Sequence, residues 1–246
     1  MQPAIRELMA AHHGVVVTQT IKRIGGDRTE LARLVRAGDL VRLSRGAYAD
    51  SRVWEESASH ARYVLRCRAA ALARPGSVLA GHAALAVLGL PLFGVDLRRI
   101  DLMAPVNSRF RRNGIVIAPL SVEAITGVEG LSVVAPAQAI VTVTTRSGLA
   151  SGLVAADAAV HRGIVHLSDI ERLSPPPRRP GHRRVARMLA LVDQACESPG
   201  ETRTRLLLHG LGWQVRSQVV LRRRGTFVAR VDFLIEDTVV VEFDGR

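Results

Sequence analysis

The chain has 246 residues, 48% of them hydrophobic, so roughly one to three globular domains with a sizeable core fit within it. Its net charge of +12 rests almost wholly on arginine, the one lysine being Lys22, which puts nucleic acid ahead of an acidic protein or an anionic lipid surface as the first partner to consider. The residues exclude several classes: no apolar run approaches the roughly 18 residues of a membrane span, the N-terminus lacks the pattern of a signal peptide, and Cys67 and Cys196 belong to no CxxC or Cys/His group, so a cytoplasmic protein without a disulfide framework or zinc site is expected.

Taken in order, residues 3 to 11 predict a helix with Ile5, Leu8 and Met9 as its apolar stripe, closed at Gly14. Thr18 is expected to cap a short helix through Ile24, Gly25 and Gly26 to make a turn, and Asp27 with Glu30 to form a capping box. The helix that follows, Arg28 to Ala37, repeats Leu31, Leu34 and Val35 at core spacing and leaves Arg28, Thr29, Arg33 and Arg36 on its other face. Gly38 ends it, and two short strands, Leu40 to Leu43 and Gly46 to Ala49, flank Ser44 and Arg45. Three helices followed by a small hairpin predict a winged helix-turn-helix over residues 1–55.

The string Leu34 to Asp50, LVRAGDLVRLSRGAYAD, resembles the N-terminal winged-helix domain of AbiEi-type antitoxins of type IV toxin-antitoxin systems. The resemblance implies a transcriptional regulator that binds double-stranded DNA and a nucleotidyltransferase toxin as a second partner. In such a domain the recognition helix presents side chains to base edges while the wing holds phosphates. Arg28, Thr29 and Arg33 are then expected to read bases, with Arg36, Arg42 and Arg45 on the backbone. The alternative at these positions is a solvated helix face, and the domain could equally serve as a protein-interaction module that neutralises the toxin without touching DNA.

Residues 56–173 predict a mixed α/β middle domain. Helices are expected at 57 to 73, 81 to 88, 136 to 145 and 149 to 161, and strands at 99 to 103 and 115 to 118 around a basic loop, 108 to 112. His82, Asp157, His161 and His166 fall there, but no GxSxG, HExxH or Walker pattern supports catalysis, and satisfied core or surface residues are the reading preferred. Ser174 to Gly181, SPPPRRPG, predicts a semi-rigid spacer and a domain boundary. After it a helix is expected from Arg183 to Cys196, with Val185, Leu189, Val192 and Cys196 on one face.

The last segment, 182–246, carries its own chemistry. Ser198, Pro199 and Glu201 form a capping box, residues 213 to 222 alternate as a strand does, and Thr226 to Ile235 and Val239 to Asp244 predict a hairpin closed by three residues. That register sets Ile235 opposite Val239 and Asp232 opposite Glu242, with Asp232, Glu242 and Asp244 on one face. Clustered carboxylates are hard oxygen ligands suited to Mg²⁺. Glu201, Asp232 and the run Glu242-Phe243-Asp244-Gly245 resemble the restriction-endonuclease-like fold in its very-short-patch-repair branch, which implies Glu201, Asp232, Glu242 and Asp244 as catalytic residues, Asp232 and Glu242 as metal ligands, and Mg²⁺-dependent cleavage of DNA. The segment departs from the pattern: Asp244 stands where lysine is usual, and the chain stops at Arg246, so a truncated module is expected and activity is left open. The plainer alternative is a capping Glu201 and a hairpin whose acids pair with Arg222, Arg224 or Arg230. The whole reads as a multi-domain α/β protein: winged helix, mixed α/β middle domain and partial endonuclease-like module.

Overall fold

The computed structural model describes residues 2–121 and 124–244. It is a mixed α/β chain that divides into two compact units, Met1–Gly89 with Asp96–Ala135, and Leu90–Val95 with Pro136–Arg246. The proline-rich segment 174–181 lies inside the second of these.

The first unit opens with α1 (Pro3–Ala11), β1 (Val15–Val17), α2 (Thr18–Arg23), α3 (Arg28–Arg36), β2 (Leu40–Ser44) and β3 (Ala47–Asp50), the strands pairing in the order β1-β3-β2. This is a winged helix. Asp27 caps α3 as expected, its carboxylate accepting the Glu30 amide at 2.8 Å. Thr18, by contrast, is not a cap: Val17 holds that position, and the Thr18 amide instead donates to the Gly46 carbonyl at 2.8 Å, tying the start of α2 to the tip of the β2–β3 wing. Ile5, Met9, Val16, Ile21, Leu31, Leu34 and Leu40 form one buried cluster between the helices and the sheet. Each large side chain there contributes roughly 1.5–3 kcal/mol by leaving water, whereas the arginines on the opposite face of α3 add little to the fold and are available for function.

The unit continues through α4 (Ser51–Glu56) and α5 (Ser59–Leu72), whose Leu65 and Ala69 pack on Val15, Val17 and Ala47. Next come β4 (Val78–Ala80), α6 (Gly81–Val87), β5 (Ile100–Ala104), β6 (Phe110–Arg112), β7 (Ile115–Pro119), β8 (Ile125–Val128) and β9 (Leu131–Val134). They build a six-stranded sheet of order β6-β7-β5-β4-β9-β8, parallel at β5·β7 and β4·β9. The basic loop of the sequence reading is in part a strand, because Phe110 to Arg112 pair antiparallel with Ile115 to Ile117.

The second unit holds α7 (Pro136–Ser147), α8 (Leu149–His161), α9 (Leu167–Arg172), α10 (His182–Leu189), α11 (Pro199–Gly210), β10 (Val215–Arg223), β11 (Thr226–Ile235) and β12 (Val239–Val241), the strands in that order in one antiparallel sheet. The helix expected to reach Cys196 stops at Leu189. A turn replaces its last part, because the Asp193 amide donates to the buried Asp157 carboxylate of α8 at 2.9 Å and the Asp193 side chain accepts the Ala195 amide at 2.9 Å. The same Asp157 takes Arg205 and Thr202 of α11, each at 2.8 Å, so α8, α11 and the turn share one buried acceptor. The β11–β12 hairpin has the expected register: Ile235 faces Val239 and Phe233 faces Val241. Val231, Phe233 and Ile235 are buried on it, whereas Val239, expected on the same face, is exposed.

Candidate nucleic-acid interface and carboxylate cluster

α3 follows α2 across the four residues Ile24 to Asp27, the layout of a helix-turn-helix, with the wing formed by β2 and β3. Arg28, Thr29, Arg33, Arg36, Arg42 and Arg45 are all exposed. The structure gathers two of them. Arg28, at the first turn of α3, and Arg45, at the wing tip, line one cleft of about 270 Å³ with Lys22, Thr18 and Gln19 of α2. None of Lys22, Arg28 and Arg45 has an acidic partner among the described residues. Lys22 was not singled out by the sequence, since a lone lysine on a short helix carries no pattern; only the bond between α2 and the wing brings it into place.

The other predicted contacts stand apart from this cleft. Arg33 donates to Glu30 at 3.0 Å, so its charge is already half answered. Arg36 turns back to the Ala32 carbonyl at 3.4 Å, and Arg42 donates to the Ser44 carbonyl at 3.3 Å, a bond that braces the wing where the β2–β3 register shifts. Thr29 lies on the exposed first turn of α3 beside Arg28.

In the second unit the sequence-predicted carboxylates meet through residues the sequence did not mark. Glu201 sits in the first turn of α11, buried, with Ser198 as the cap accepting its amide at 3.1 Å. Its own carboxylate reaches back one residue further than a capping box requires and accepts the Glu197 amide at 3.0 Å. The same oxygen accepts the Gln218 side-chain amide at 2.9 Å, and that amide also donates to Asp232 at 3.2 Å. Gln218 thus bridges Glu201 to Asp232. It does so from a left-handed backbone, φ 52°, at the one position of β10 where the pairing skips from Ser217 to Val219. For a residue with a side chain that conformation costs roughly 1–2 kcal/mol, a strain held only where the surroundings demand it.

The strand expected to run to Asp244 ends at Val241, so Asp232 and Glu242 are neighbours through hydrogen bonds rather than through strand pairing. Asp232 donates its amide to the Glu242 carboxylate at 3.1 Å, and its own carboxylate accepts the Phe243 amide at 2.8 Å. Phe243 in turn lies so close over Gly200 that a Cβ there would sit 1.9 Å from its ring, which is why the first turn of α11 carries a glycine. Asp244 is exposed and makes no bond to the other three among the described residues, and Gly245 of the motif lies outside them. Neither Arg222 nor Arg230 neutralises the cluster: Arg222 donates to the Gly225 carbonyl, and Arg230 pairs with Glu197.

For a divalent cation, Asp232 and Glu242 supply hard oxygen atoms side by side, yet Asp232 has each carboxylate oxygen taken by a protein donor. Among the described residues no three His, Cys, Asp or Glu side chains are grouped to hold a metal ion.

The histidines and the aspartate that the sequence marked in the middle of the chain are occupied. His82 is buried, stacks on Tyr63, and donates from Nε2 to the Arg99 carbonyl at 2.9 Å while Nδ1 lies 3.5 Å from Asp101. His161 contacts the Gln194 carbonyl at 2.9 Å, and His166 caps α9. Asp157 belongs to the buried network with Arg205, where burial raises its carboxyl above the usual range against the pull of the guanidinium.

Residues 3–49 match the family described as "Transcriptional regulator, AbiEi antitoxin", the segment that forms the winged helix. This supports an antitoxin-like N-terminal domain. No curated protein matches the chain. Among solved structures, the RV2827C protein from Mycobacterium tuberculosis matches with a TM-score of 0.41 and 20% identity over 83% of this chain and 80% of that one. No helix among the described residues is long and apolar enough to cross a membrane.

Proposed function

We propose that this chain is a transcriptional regulator of the antitoxin type that grips double-stranded DNA through α3 and the β2–β3 wing. The observation that carries the reading is the cleft in which Lys22, Arg28 and Arg45 converge from helix, recognition helix and wing with no acidic residue among its lining. Three unanswered cations on three rigid elements suit a phosphate better than a base edge. Arg28 therefore goes with Arg45 on the backbone, and Thr29 with Arg33 remain for base edges, Arg33 on condition that it releases Glu30. Arg36 and Arg42 extend the backbone contact.

Selection of bound duplexes from a random pool tests the regulator reading, followed by mobility shifts across salt. Enrichment of a motif is expected, and Arg36→Ala is expected to lower the slope of log K against log salt by about 0.9. A pool that stays random, with binding insensitive to salt, overturns it. A nucleotidyltransferase toxin is the protein partner proposed with it; co-purification of such an enzyme with the full chain is the corresponding result.

The adjacency of Asp232 and Glu242 favours a second reading for the C-terminal segment alone, a DNA endonuclease-like module. Asp232 would have to release Gln218 and Phe243 before it and Glu242 could hold Mg²⁺, with Glu201 and Asp244 as the further catalytic acids; the ion would supply Lewis-acid stabilisation for phosphodiester hydrolysis. Nicking of supercoiled DNA that needs Mg²⁺ and is lost in Asp232→Ala supports this reading. Nicking that persists in Asp232→Ala sinks it.

A further inference from the structure

The second unit carries a basic cleft that the DNA reading above does not use. The segment Arg178-Arg179-Pro180-Gly181-His182-Arg183-Arg184 runs from the proline-rich stretch into the first turn of α10, and with Thr145 of α7 it lines a cleft of about 610 Å³. No acidic residue is among the lining. Arg178, Arg179 and Arg183 are exposed and have no partner among the described residues, whereas Arg184 is held by the Thr145 carbonyl at 2.8 Å.

Two further features mark the place. No side chain caps α10: Gly181 fills that position at φ 89°, and the His182 amide donates instead to the Arg179 carbonyl at 3.2 Å. The Thr145 hydroxyl oxygen is buried without a hydrogen-bond partner among the described residues, and a Cβ on Gly181 would lie 2.5 Å from it. A buried hydroxyl left unsatisfied is costly, and at this spot it stands against the backbone that opens the helix. His182 is fixed beside it by a 2.7 Å contact from Nδ1 to the Pro175 carbonyl.

The chemistry that fits is an anion, and the exposure of the arginines decides which kind. A single small anion on exposed cations gains little, because water screens each pair. A polyanion gains more, since each neutralised phosphate releases condensed counterions. Arg178, Arg179 and Arg183 also stand within six residues of one another on this lining, so several cations can act together. We propose that the 178–184 loop and the first turn of α10 form a second nucleic-acid site, which binds the sugar-phosphate backbone of duplex DNA. It stands independently of the winged-helix reading.

The test uses the full chain and fluorescence anisotropy with a duplex of mixed sequence, over salt from about 50 to 200 mM. Arg178→Ala, Arg179→Ala and Arg183→Ala are combined, in the parent and in a background carrying Lys22→Ala, Arg28→Ala and Arg45→Ala. In both, the slope of log K against log salt is expected to fall by about 2.7, three contacts at about 0.9 each. The fall in the second background separates this site from the winged helix: if the winged helix binds no DNA, the slope of the parent still belongs to this loop. Replacement of the three arginines by lysine is expected to keep the slope, and melting curves are expected to be unchanged. A slope that survives the triple change overturns the proposal. So does an equal fall on removing Arg222, Arg223 and Arg224 from the β10–β11 turn, which would trace the effect to overall charge. Loss of polyglutamate binding with duplex binding intact also overturns it, in favour of an acidic polypeptide.

Discussion

Removing the three cations of the winged-helix cleft gives the most direct measure of whether that domain holds DNA. Lys22, Arg28 and Arg45 line one cleft and none is answered by an acid, so each is free to displace a counterion from a phosphate. With about 0.9 in slope per contact, the variant Lys22→Ala/Arg28→Ala/Arg45→Ala is expected to lose about 2.7 from the slope of log K against log salt. Over a fourfold rise in salt that amounts to about 40-fold less weakening than the parent suffers. Arg33→Ala provides the internal contrast: its guanidinium is already paired with Glu30 at 3.0 Å, so its loss is expected to change the slope by less than one contact. The assay is anisotropy with a labelled duplex at several salt concentrations, with folding checked by thermal melting. The side chains removed are exposed, and melting is expected to stay put. A slope unchanged in the triple variant, or lowered as far by Arg33→Ala as by the other three together, refutes the reasoning.

Three further outcomes follow from the second unit and the buried thiols. Gln218→Leu leaves Glu201 and Asp232 facing each other without the amide that bridges them, and urea unfolding is expected to show a loss of about 1–3 kcal/mol; equal stability counts against the bridge. Asp157→Ala strips the buried Arg205 of its acceptor and is expected to cost about 3–5 kcal/mol, while the double variant Asp157→Ala/Arg205→Met recovers part of it; additivity of the two changes rules out the pairing as the cause. Burial pushes the Cys67 thiol up to about 12 and the Cys196 thiol up to about 11. With the folded values above the unfolded one of about 8.5, the stability they confer is full below about pH 8.5 and is lost as pH rises toward 11 and 12, so melting temperature is expected to fall across that alkaline window and less so in Cys196→Ala.

The elements that the sequence made legible are those whose determinants are local. Asp27 and Glu30 announce α3, the repeat of Leu31, Leu34 and Val35 gives its buried face, and the three residues between Ile235 and Val239 fix the hairpin register that brings Glu242 to Asp232. What stayed hidden depends on distant partners. β1, β4 and β9 are three or four residues long, too short to show a period, and β4 pairs in parallel with β9 more than 50 positions on through the single register contact Leu79 to Val133. The end of α10 is set by Asp157, on a helix far back in the chain, which captures the Asp193 amide that a continued helix would have used. The same holds at the sites. Lys22 joins Arg28 and Arg45 only because the wing tip is bonded to α2, and Gln218 joins Glu201 and Asp232 only because the backbone of β10 turns left-handed at that residue. Neither residue belongs to a pattern along the chain.

A net charge of +12 does not by itself bind DNA; unpaired cations on fixed elements do. Several arginines are spent internally, on Glu30, Glu129, Asp101, Asp157 and Glu197; each such pair cancels in the net charge and offers nothing to a phosphate. Lys22, Arg28 and Arg45 in the first unit and Arg178, Arg179 and Arg183 in the second are exposed and unanswered. At about 0.9 per contact, these six side chains account for about 5 of the magnitude of the salt slope, one set for about half that, and Arg36 with Arg42 for about 2 more. The parent slope therefore counts how many of the two faces meet DNA at once, and the two triple variants identify which. A parent slope that neither variant lowers would place the phosphate contacts on residues outside both clefts, and the assignment of function to these six side chains would fall with it.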